Sequence, residues 1–166
     1  MNHIIISCIG TDRKGIVDTL SNIINAHDGN WQVSSLHHLS GFFAGVIEVA
    51  VSQEKTQALI SALHSIENLN CQIEVAQPNS EKVKSTLVLE LTANDRPGII
   101  QEISSVIHRQ GGNLIKVVSS QASAPHTGQL MFKAKVKVAM NDAETDDLIS
   151  ALEHIADDLM VDIAKT

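Results

Sequence analysis

The chain repeats itself, and that limits its folds more than any other feature. Asp12, Arg13, Gly15, Ile16, Ser21, Ile24, Gly29 and Asn30 recur as Asp95, Arg96, Gly98, Ile99, Ser104, Ile107, Gly112 and Asn113, each 83 positions later. Further on, Leu59–Leu63 and Leu148–Leu152 both read Leu-Ile-Ser-Ala-Leu, now 89 positions apart. Six extra residues have therefore entered the second copy, and the polar segment Gln121–Gln129 is the expected place. A unit of about 80 residues is a plausible small domain. The 166 residues divide into a first domain at 1–78 and a second at 84–166, joined by a polar linker at 79–83 next to Pro78.

Each copy has the same hydrophobic rhythm. His3–Ile9 is an apolar run short enough for a buried strand. Ile16, Val17, Leu20, Ile23 and Ile24 fall on one face of a helix. Gly29, and Gly111-Gly112 in the second copy, are expected to end the helices in a left-handed conformation. Trp31–Leu39 and Phe42–Val51 are β-rich runs around a Ser40-Gly41 turn, Ser52 can cap a second helix, and Cys71–Gln77 alternates like a half-buried strand. The order is βαββαβ, with helices expected at Gly15–Ala26, Glu54–Ile66, Gly98–Gln110 and Ala143–Ala156. Such a split βαβ unit closes as an antiparallel ferredoxin-like sheet, strand order 4-1-3-2, with both helices on one face. The predicted fold class is α+β, two such units in tandem. Phe132, Ala134, Val136 and Val138 alternate with Lys133, Lys135 and Lys137, as a sheet covered on one side requires.

The first strand-to-helix turn of each copy is the candidate site. In Asn94–Ile100, Pro97 has φ set near the helical value and lacks an N–H the first turn would leave unpaired. Gly98 has no Cβ, so a ligand can approach the free N–H groups of the helix start, a seat for a carboxylate or phosphate. The first copy has Lys14 in place of proline, so its turn is expected to be less rigid and the two sites unequal, with the second preferred. Asp12 and Asp95 can cap the helices or meet a ligand ammonium, and Arg13 and Arg96 can hold a carboxylate or pair with their neighbours.

Several functions lack the residues they need. The net charge of −7 disfavours direct nucleic-acid binding, and the first strands lack the aromatic platforms that single-stranded RNA readers place there. Gly10–Gly15 has P-loop glycine spacing, but Ile16-Val17 follows where Lys-Ser/Thr is needed. His37 and His38 are adjacent on a predicted strand and point to opposite faces, so no metal site is expected. Nothing resembles an activated nucleophile with its base, so neither an enzyme nor a cofactor is expected. Cys8 and Cys71 fall on strands that order 4-1-3-2 makes neighbours, and they read as core thiols of a reducing compartment. No run spans a membrane and Asn2–Ile6 enters the first strand at once, so a cytoplasmic protein is expected.

Two βαββαβ units, each with Asp-Arg-(Pro)-Gly-Ile at the first turn and Gly-Asn before the second strand, resemble tandem ACT domains, small regulatory modules that bind amino acids. Within that group the chain is similar to the glycine cleavage system transcriptional repressor family. The resemblance implies ligand sites at interfaces between paired units, built from Asp12, Gly15 and Asn30, and from Asp95, Gly98 and Asn113; Ile16, Arg96 and Ile99 of the same turns complete the candidate ligand-binding residues. It implies a small amino acid as ligand, glycine first. It also implies a protein partner such as a DNA-binding transcriptional activator, without direct nucleic-acid contact. The second strand of each unit is a long edge, so edge pairing and a homo-oligomer are expected. The rival reading is a constitutive interaction module whose turns are purely structural.

Overall fold

The computed structural model describes residues 1–76, 85–141 and 144–164. The chain separates into two compact units, Met1–Glu81 and Lys82–Thr166. The expected linker at 79–83 lies outside the described residues, as does Ala143, where the fourth helix was expected to start.

The first unit runs β1 (Asn2–Thr11), α1 (Ile16–Ala26), β2 (Asn30–Leu39), β3 (Phe42–Val51), α2 (Gln53–His64) and β4 (Leu69–Ala76). The second runs β5 (Thr86–Asn94), α3 (Ile99–Arg109), β6 (Asn113–Ser123), β7 (Leu130–Ala139), α4 (Thr145–Glu153) and β8 (Met160–Ile163). Both sheets are antiparallel, ordered β2-β3-β1-β4 and β6-β7-β5-β8, which is the expected 4-1-3-2 read from its other edge.

Alternation along the strands sends one set of side chains under the helices. In the first unit Ile4 and Ile6 of β1 and Ile47 and Val49 of β3 meet Leu20 and Ile24 of α1 and Leu59 and Leu63 of α2. In the second, Leu89, Leu91, Val136 and Val138 meet Ile103, Ile107, Leu148 and Leu152. Burying a Leu or Ile side chain is worth about 1.5–3 kcal/mol, so the repeated apolar positions are enough to organise each unit.

The hairpins differ where the six-residue insertion was expected. Ser40 (φ 50°) and Gly41 (φ 85°) form a two-residue turn with both φ values positive, the twist that suits a tight hairpin. Its counterpart is a longer loop between Ser123 and Leu130, closed by Ala124 N–H to Gln129 O at 2.8 Å.

Two local expectations need correction. Gly29 is not the left-handed residue after α1; Asp28 is, at φ 54°. A Cβ on Gly29 would come within 2.9 Å of Ile24 and 3.1 Å of Val49, so glycine lets the helix exit press onto the sheet. In the second unit these tasks fall to neighbouring glycines: Gly111 is left-handed at φ 79°, and Gly112 presses on Val138 and Ile107. Ser52 does hold the N-cap position of α2, but its side chain makes no capping bond; its carbonyl instead accepts the Thr56 hydroxyl at 2.8 Å.

Candidate functional site

The two turns have the same backbone. Gly15 (φ 80°, ψ 10°) and Gly98 (φ 85°, ψ 0°) are the residues before α1 and α3, both left-handed. No heavy atom lies within 4 Å of where a Cβ would stand on either. The helices begin one residue later, at Ile16 and Ile99, whose side chains plug the core. Pro97 therefore precedes the cap instead of occupying the first helical position. The Lys14 turn matches the Pro97 turn in conformation, so proline is not what shapes it.

Each turn is tied to the following hairpin in the same way. The Asp12 N–H donates to Gly41 O and the Asp95 N–H to Leu130 O, both at 3.0 Å. Each carboxylate then meets a side chain near the end of the second strand. His38 Nδ1 lies 2.6 Å from Asp12 Oδ2, and Gln121 Nε2 donates to Asp95 Oδ2. His38 and Gln121 are separated by the same 83 positions as the aspartates. Comparing identical residues misses this link, because the two residue types differ.

Charge separates the turns. Arg96 forms a two-pronged pair with Glu102, both N···O distances 2.7 Å. That hydrogen-bonded pair lowers the Glu102 pKa and raises that of Arg96. Asp158 reaches the same turn, its carboxylate accepting the Asn94 N–H at 2.7 Å. In the first unit the position matching Glu102 is Thr19, whose hydroxyl turns back to Gly15 O at 3.0 Å. Among the described residues, exposed Arg13 and Lys14 have no ion-pair or hydrogen-bonding side-chain partner. The first turn keeps its cations available and the second has its arginine engaged.

Not all expected site residues meet. Asp12, Gly15 and Ile16 share one turn, as do Asp95, Arg96, Gly98 and Ile99. Asn30 opens β2 opposite Ala50, which pairs with His3 at the start of β1. Asp12 follows the far end of β1, roughly 30 Å along the strand. Asn113, opposite Ala139 and hence level with Thr86, is equally remote from Asp95. Within one unit neither asparagine reaches its turn. Among the described residues, no group of three or more His, Cys, Asp or Glu could hold a metal ion, and no helix is long and apolar enough to cross a membrane.

Two ferredoxin-like units, each with an open glycine turn over the first strand, define a tandem of small α+β modules. Residues 2–76 match the ACT domain family model, and the second unit repeats the same strand order, so the chain has a tandem ACT-like fold. Similar architecture over the full length occurs in a crystal structure of an unknown protein from Galdieria sulphuraria. It is 22% identical with a TM-score of 0.78, and the alignment covers 100% of this chain and 99% of that one. It also occurs in a structure provisionally named a glycine cleavage system transcriptional repressor, at 14% identity and TM-score 0.69, covering 99% and 98%. At these identities the likeness concerns the fold. No curated protein matches the chain.

Proposed function

We propose that the protein is a non-enzymatic cytoplasmic regulator that senses a small amino acid and passes the signal to a protein partner. The observation that carries this reading is the duplicated turn. Two glycines adopt one left-handed geometry, each opens a helix start to empty space, and each stands beside an aspartate braced from the hairpin. An amino-acid zwitterion needs donors for its carboxylate and an acceptor for its ammonium. The helix N–H groups supply the first and the aspartate the second.

The free cations make the first turn the better carboxylate seat, against the preference for the second that Pro97 suggested. Asn30 or Asn113 can join a turn only from a different unit, which agrees with the interface sites implied by the ACT resemblance. Glycine as ligand, and a transcriptional activator of glycine cleavage genes as partner, follow from the repressor resemblance. Pairing along the exposed β2 and β6 edges is the expected route to a homo-oligomer.

One observation favours a constitutive interaction module instead. The helix-free face of the first sheet exposes Ile5, Ile9, Phe42 and Val46, and such patches attract partners without a ligand. Calorimetry of the full chain against the twenty amino acids separates the two readings. Saturable binding of a small amino acid supports the sensor; no heat from any of them leaves the interaction module.

A further inference from the structure

Cys8 and Cys71 stand directly opposite each other on the antiparallel pair β1 and β4. Both are free thiols, and both point into the first core. The hydrogen-bond pattern fixes the kind of pair. The Asp12 N–H donates towards β3, to Gly41 O. Backbone polar groups alternate sides along a strand, so those of Gly10 and Cys8 also point to β3, and Cys8 faces Cys71 across a non-hydrogen-bonded position. Opposed Cα atoms there stand about 4.5 Å apart with their side chains at closest approach. A disulfide tolerates roughly 4.4–6.8 Å.

Access comes from the edge. β4 is the outer strand of the sheet, and both cysteines border a surface depression with His64 and Asn70. The second unit has Leu91 opposite Val161 at the matching place, so the thiol pair belongs to the first alone.

We propose that Cys8 and Cys71 form an oxidation site that closes into a cross-strand disulfide when the protein meets a peroxide. One thiolate attacks hydrogen peroxide, the O–O bond breaks, the sulfur becomes a sulfenic acid, and the departing hydroxide takes up the proton the thiol lost to give water. The other thiolate attacks that sulfur, the S–O bond breaks, and a second water leaves. Two thiols and one peroxide give one disulfide and two waters, with two electrons passing from sulfur to oxygen. Closure requires the Cys8 thiol to leave its weak 3.7 Å contact with Gly45 O. The resting pair is slow to react, because burial and the neighbouring Cys8 push the Cys71 thiol up to about 11. The rate of closure therefore climbs about tenfold per pH unit between about pH 7 and 9. The new bond would pin β4 to the strand that delivers the Asp12 turn.

The test treats the full chain with hydrogen peroxide and follows intact mass, free thiols and thermal unfolding. The expected product has lost two hydrogens and both thiols, yields a Cys8–Cys71 linked peptide, and raises the midpoint of the first unit by on the order of 10 °C. Cys8→Ala and Cys71→Ala instead gain oxygen on the remaining thiol and show no such rise. Two thiols persisting at pH 9, oxygen addition to the wild-type chain without linkage, or linkage only between chains overturns the proposal, and none of these results depends on the variants folding.

Discussion

The two turns share a backbone and differ in what surrounds it. Gly15 and Gly98 agree within 5° in φ and 10° in ψ, although one follows lysine and the other proline. Arg13 is free among the described residues, whereas Arg96 is clasped by Glu102 six positions on. A duplicated motif thus preserves a shape while its electrostatics diverge. Shape follows from the glycine and the hairpin bond to the aspartate N–H. Charge follows from residues outside the motif, Glu102 and Asp158, for which the first unit has Thr19 and, by the register of the last strand of each unit, Asn68.

The hardest blow to both turns is a side chain on the glycine. L residues disfavour left-handed φ, by about 1–2 kcal/mol, and β-branching makes it worse. Gly15→Val and Gly98→Val should each destabilise the protein by about 2 kcal/mol, with Gly→Asn costing less, measured by denaturant melts. Equal losses support one shared backbone geometry; an untouched Gly15→Val protein would break it. Because of this strain, Val at 98 confounds binding with folding, and asparagine is the cleaner obstacle.

The second effect separates the turns. A charge-assisted hydrogen bond to a bound carboxylate is worth about 1.5–3 kcal/mol. Arg13→Gln should therefore weaken amino-acid binding by about tenfold or more. Arg96→Gln should leave affinity within about threefold, because that side chain already serves Glu102. Calorimetric titration of both variants decides the matter, and the reverse ranking would restore the second turn as the seat.

A smaller difference appears in acid. The Glu102 pKa is lowered in the folded state, first through its hydrogen bond to Arg96. A depressed carboxylate stabilises above its unfolded pKa, and the contribution fades as pH falls through the folded value. Stability of the second unit should decline slightly below about pH 4, less so in Glu102→Gln, as acid titration of the unfolding midpoint would record. The pair lies partly exposed at the surface, so high salt should shrink the difference further.

The architecture was legible because it was stated twice. Apolar periodicity placed every described element within a few residues, and the change of spacing from 83 to 89 located the longer β6–β7 loop. The site was legible only in outline. Gly29 looked like a helix terminator, but the neighbouring Asp28 takes the left-handed turn and glycine serves packing. Asn30 and Asn113 repeat as faithfully as the turn glycines, yet each sits at the opposite end of its sheet. Repetition marks positions that matter without saying that they meet. In the sequence His38 presents itself only as a metal-ligand type, since no sequence pattern shows that the hairpin folds it back onto Asp12.

The smallest expected effect concerns that histidine. A carboxylate that is to meet an ammonium must be held in place, and His38 and Gln121 do this from matching positions with different chemistry. If holding the carboxylate is the shared task, His38→Gln imports the second unit's solution into the first and should change ligand affinity by less than about threefold. His38→Ala leaves Asp12 free to rotate. Binding must then order the side chain itself, at a cost of about 0.5–1.5 kcal/mol, or a loss of about three- to tenfold. The two variants remove the same imidazole, so the gap between them isolates the brace from any direct histidine–ligand contact. Equal losses would mean that the histidine touches the ligand itself and that the two turns differ in recognition as well as in charge.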